Sequence, residues 1–132
     1  MIDHSNEIFN VVAKALRSAF EGIQVKGEYV ATPSRFPCVT VDETINVPSH
    51  LDSGARNKYA RLTYRVQVFS NKENGKRAEA RKIYGKVDEL MQGMGFFAKT
   101  YTTTPAVYNS EIYCITATYE AVVGADGVVY RV

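Results

Sequence analysis

Tryptophan is absent from this sequence, and cysteine and histidine occur only twice each. Cys38 and Cys114 stand far apart with no C-x-x-C spacing, which excludes a zinc knuckle and a disulfide framework and leaves buried free thiols as the expectation. His4 and His50 form no H-x-x-H or H-E-x-x-H pattern, so no metal site is expected. Sixteen basic residues against fourteen acidic ones leave a net charge of +2, too little to mark a sequence-specific nucleic-acid binder. No apolar run approaches the roughly 20 residues that cross a bilayer, and the N-terminus MIDHSNEIFN has no basic leader or apolar core, so no membrane partner is expected and synthesis in the cytoplasm is. Neither cysteine has a histidine at a strand end beside it, and no G-x-S-x-G elbow exists. These gaps argue against an enzyme and against any cofactor.

What is present reads as one domain over residues 1–132. A helix is expected over about 4–21, where Ile8, Val12, Leu16, Ala19 and Ile23 recur at helical spacing, with Asp3 or Ser5 to cap it and Gly22 to end it. A second is expected over about 73–93, with Ala80, Ile83, Tyr84, Val87, Leu90, Met91 and Met94 on its apolar face. Asn71 or Asn74 could cap that helix, and Gly93 and Gly95 are available to close it. Alternating stretches predict strands over about 37–45, 59–70, 97–104, 110–123 and 127–132. Residues 46–58, rich in Pro, Gly, Ser, Asn and Asp, read as a long loop. Strands in succession through short connections predict an α+β fold: a single-layer, mainly antiparallel sheet with both amphipathic helices packed on one face.

The Gly75-Lys76 pair lies between a strand and a helix, where a phosphate-binding loop would. That loop requires a glycine five residues before the pair and a Ser or Thr after it; Ser70 and Arg77 occupy those places. A helix start explains the pair without a nucleotide. Asp42 and Glu43, adjacent in a strand, point to opposite faces and cannot work as a paired acid and base.

Two features suggest contact surfaces. Nine tyrosines are present, and Tyr59, Tyr64, Tyr101, Tyr113, Tyr119 and Tyr130 fall in expected strands, where they serve either as cross-strand pairs or as interface residues. Between Asp52 and Glu73 the chain carries Arg56, Lys58, Arg61, Arg65 and Lys72 and no acid. The polar loop with His50, Asp52, Arg56 and Lys58, together with Arg61 and Arg65 on the following strand, is therefore a candidate assembly surface. Asp42, Glu43, Glu111 and Glu120 are candidate acidic counterparts on a neighbouring copy. The alternative is that these arginines only solvate the outer face of a strand.

The order of elements, the strand "FPCVTVDE", the strand ending "YRVQVFSN", the helix "GKRAEARKIYGKVDELMQGMGF" and the closing "YTTTPAVYNSEIYCITATYEAVV" resemble the tail-terminator or tail-completion proteins of long-tailed (siphovirus-type) phages and prophages. The resemblance covers nearly the whole chain and rests on no catalytic signature. It implies a structural virion protein at the head–tail junction that forms a homo-oligomeric ring, usually a hexamer. Such a ring stops growth of the tube built by the major tail-tube protein and offers the surface on which the head-completion or connector protein docks. A head-side neck or adaptor protein of the same type of virion is the next reading, and a small cytoplasmic enzyme or binding domain the third.

Overall fold

The computed structural model describes residues 3–28, 33–48, 59–106, 109–124 and 129–130. The elements run α1 (Ser5–Ala19), β1 (Gln24–Lys26), β2 (Cys38–Pro48), β3 (Tyr59–Ser70), α2 (Lys76–Gly93), β4 (Phe97–Ala106), β5 (Asn109–Gly124) and β6 (Val129–Tyr130). The fold is α+β. One sheet has the order β1-β2-β3-β5-β4, with β6 adding to β5, and every pairing is antiparallel except that of β1 with β2.

Alternation in β3 sets the two faces. Ala60, Leu62, Tyr64, Val66 and Val68 are buried in one cluster with Ile8, Val12 and Leu16 of α1 and Ala80, Ile83, Val87 and Met91 of α2. In β5 Ile115, Ala117, Tyr119, Ala121 and Val123 join the same cluster. Both helices therefore cover one face. Leu90 and Met94 are only partly buried at its margin, so the deepest stripe of α2 is Ala80, Ile83, Val87 and Met91.

Several boundaries differ from the sequence reading, each for a local reason. α1 stops at Ala19, because Phe20 turns extended and Gly22 takes a positive φ of 77° that leads the chain into β1. Ile23 is buried beyond the helix, while Ala19 is exposed. The strand β1 was not expected: Gln-Val-Lys offers one apolar position, too few to show alternation. α2 begins at Lys76, not at 73, with Gly75 at the N-cap and no side-chain cap; Asn74 sits just before it in the left-handed region at φ 59°. Its end is a Schellman closure on Gly95 (φ 93°): Phe96 N–H donates to the Met91 carbonyl at 3.0 Å and Gly95 N–H to that of Gln92 at 2.9 Å. Asp3 accepts hydrogen bonds from the backbone N–H and hydroxyl of Ser5, at 3.0 and 2.6 Å, at the start of α1.

The largest boundary correction concerns β2. The strand continues to Pro48, and Asn46, Val47 and Pro48 pair with Leu62, Arg61 and Ala60 instead of opening a loop. Thr44 is an extra residue between Glu43, opposite Tyr64, and Ile45, opposite Thr63. This bulge lets the strand run on with its side-chain alternation reversed.

Candidate assembly surface

Among the described residues no helix lies on the second face of the sheet, and β3 supplies its centre with Arg61, Thr63, Arg65, Gln67 and Phe69. Asp42 stands directly opposite Arg65 in the register, and their side chains meet at 2.6 Å, with 34% of Arg65 and 22% of Asp42 exposed. Gln67 lies between the hydroxyls of Thr40 and Thr116, each at 3.5 Å. Farther along, the Thr100 and Thr118 hydroxyls are 2.6 Å apart, and the Lys99 ammonium lies 2.9 Å from the Glu120 carboxylate. The face is a lattice of hydroxyls and paired charges.

Its two ends differ. At one end Cys38, Phe69 and Cys114 stand in a single row across β2, β3 and β5, buried with Ile112 and backed by Phe36. The two cysteines flank Phe69 on either side, so two strand spacings, roughly 10 Å, separate them, beyond disulfide reach. Burial pushes the Cys38 thiol up to about 11, against a smaller opposing pull from Lys26. Burial raises Cys114 as well. Such thiols are poor nucleophiles at neutral pH.

At the other end the bulge at Thr44 has turned Ile45 and Val47 outward, 46% and 37% exposed. Phe97 of β4, 44% exposed, lies on the same row as Ile45, Thr63 and Glu120. Arg61 is exposed on the adjacent row, between Val47 and Val122. Ile45 and Val47 beside Arg61, and Phe97 three strands away from Ile45 beyond Thr63 and Glu120, put exposed apolar side chains at this end of the polar lattice, a mixture found at protein contacts.

The sequence-derived candidates divide accordingly. Arg61, Arg65, Asp42 and Glu120 share the open face. Arg65, however, is paired within the chain with Asp42, and Glu120 with Lys99; only cross-strand register reveals those pairings. Glu43 belongs to the helix side, where it accepts a hydrogen bond from the Tyr64 hydroxyl at 3.1 Å. Desolvation raises its carboxyl above the usual range, and that hydrogen bond opposes the rise. His50, Asp52, Arg56 and Lys58 lie outside the described residues, and of Glu111 only its place in β5 is described. Ile45, Val47 and Phe97 were not singled out from the sequence. Alternation read straight through CVTVDETINV sends Ile45 and Val47 to the core, and only the bulge reverses them.

Among the described residues the tyrosines mostly serve packing. Tyr64 and Tyr119 are cross-strand partners, both buried, and Tyr64 meets Phe96 edge-on with ring centroids 5.4 Å apart. The Tyr119 hydroxyl donates to Asp88 at 2.6 Å and lies 2.6 Å from the Tyr84 hydroxyl, fastening α2 to the sheet. Burial first, and then these hydrogen bonds, push the Tyr119 hydroxyl far above its ordinary range. Tyr101 is the exception, 42% exposed, its ring 5.0 Å from that of Tyr84.

Beyond this face, a cavity of about 270 Å³ lies between the start of α1 and the end of α2, lined by His4, Glu7, Ile8, Val11, Met94, Phe96 and Val123. Among the described residues no three His, Cys, Asp or Glu side chains gather as metal ligands, and no helix is long and apolar enough to cross a membrane. No protein-family model matches the chain, and no curated protein matches its sequence.

Proposed function

We propose that this chain is a structural virion subunit that assembles as a homo-oligomeric ring, a hexamer by resemblance, on the tail tube of a long-tailed phage or prophage. There it ends tube polymerisation and presents the docking surface for the head-completion protein. The observation that carries the reading is the sheet face that no helix covers among the described residues, on which Ile45 and Val47 are exposed beside Arg61 and Phe97 is exposed farther across the same end. Apolar side chains held on a sheet beside a charged one offer a neighbouring subunit contact area at reduced ordering cost. Among the described candidates on this face, Arg65 is paired with Asp42 and Glu120 with Lys99, and Arg61 stands exposed beside Val47. The reading assigns no catalytic step and no cofactor.

Electron microscopy of particles made without this protein tests the role. Overlong tails are the expected outcome; tails of normal length that lack heads would instead identify a head-side adaptor. Arg61→Glu should leave a folded protein that fails to restore normal tail length. Full complementation by Arg61→Glu together with Phe97→Ser would remove this face from the assembly.

A further inference from the structure

β4 closes the sheet on one side, and among the described residues no strand lies beyond it. Every second N–H and C=O of such an edge points outward without a ladder partner, and proteins commonly blunt edges of this kind with a bulge, a lysine or a proline. β4 carries all three, but only at its ends. The bulge falls at Lys99, between Ala98 and Thr100, and Pro105 lies near the other end. The lysine does not guard the edge, because its ammonium is drawn 2.9 Å from Glu120 on the open face. Between these points runs Thr100–Thr104, a β-branched stretch around Tyr101 with no charge and no proline.

This window is self-complementary. We propose that the outer edge of β4 pairs antiparallel with the same edge of a second copy of this chain, about a two-fold axis through Thr102. In that register Thr100 meets Thr104 of the second copy, and Tyr101 meets Thr103, while Lys99 falls opposite Pro105. No like charges face each other. Positions that pair share a face of the sheet in their own chain, so the sheet continues across the axis with the helices of both copies on one side. The pairing also covers the part of Tyr101 that Tyr84 leaves exposed, and tyrosine beside a β-branched residue is a favourable cross-strand pair.

A window this short gives an interface below the usual range for stable complexes, so the dimer is weak and reversible. The contact does not rest on the ring reading: a head-to-tail ring joins unlike surfaces, whereas this one joins like edges and leaves the open face clear.

The test uses the exposed Thr102, whose substitution leaves the core untouched. Sedimentation velocity over a concentration series should show wild-type protein passing reversibly from monomer to dimer. Thr102→Lys and Thr102→Glu, checked for folding by circular dichroism, should each stay monomeric, because each sets a charge against its own copy. An equimolar mixture of the two should recover the dimer, since Lys then faces Glu. Amide exchange in wild-type β4 should slow with concentration between Thr100 and Thr104. A wild type that stays monomeric throughout, single variants that associate like wild type, or a mixture that stays monomeric would each overturn the proposal.

Discussion

The two faces of this sheet are made by the same strands, yet they are built on different physics. Under the helices, Leu62, Tyr64, Val66 and Val68 alternate into one continuous apolar core, where stability comes from area removed from water. On the open side, Arg65, Gln67 and a set of threonines are held by hydrogen bonds and ion pairs that water competes for. The covered face holds the molecule together, and the open face is free to be specialised for contact. The Thr44 bulge shows how little is needed to move residues between the two roles: one extra residue transfers Ile45 and Val47 from core to surface.

The contrast is broken most sharply by truncating the covered face. Ile83→Ala removes a side chain that is 1% exposed and should cost about 2–5 kcal/mol in urea denaturation. A loss below about 1 kcal/mol would mean that α2 does not press on the sheet as described. On the open face the Asp42–Arg65 pair is the contact to test. A double-mutant cycle to alanine should give a coupling of roughly 0.2–1 kcal/mol that shrinks in high salt. A coupling of zero would show that this contact adds nothing measurable to folding.

Glu43 sharpens the comparison, because it is an acid on the wrong side. Its folded-state pKa lies above the ordinary value of 4.5, so folding favours the protonated form. That contribution is fully present below the ordinary value and is lost as the pH rises through the folded one. At neutral pH the ionised carboxylate therefore costs stability, and Glu43→Gln, which can still accept from Tyr64, should raise Tm slightly. The gain should disappear in acid. A variant whose Tm falls at neutral pH would show that the hydrogen bond to Tyr64 outweighs desolvation.

How far the sequence reached depends on the range of the signal. The apolar stripes of both helices and the alternation of β3 were legible, because i, i+3, i+4 and i, i+2 spacings are local consequences of backbone geometry. A glycine closing α2 was legible as well, though the sequence offered both Gly93 and Gly95 and only the backbone shows that Gly95 takes the left-handed cap. The strand β1 was not, since three residues carry no period and its place depends on pairing with β2. The candidate surface was legible only in part: Arg61 could be placed on the outer face, but Ile45, Val47 and Phe97 could not.

Composition and periodicity by themselves determined an α+β chain with two amphipathic helices and a sheet having one dry face, because burial of apolar periodic surface leaves few other arrangements. Tertiary structure alone decided which described charges meet within the chain. Arg65 forms an ion pair because Asp42 lies directly opposite it, and Glu120 meets Lys99 from the neighbouring strand. It also decided that Ile45 and Val47 face solvent. Register and bulges are set by how strands pair across long separations in sequence, and no local pattern in either strand encodes them.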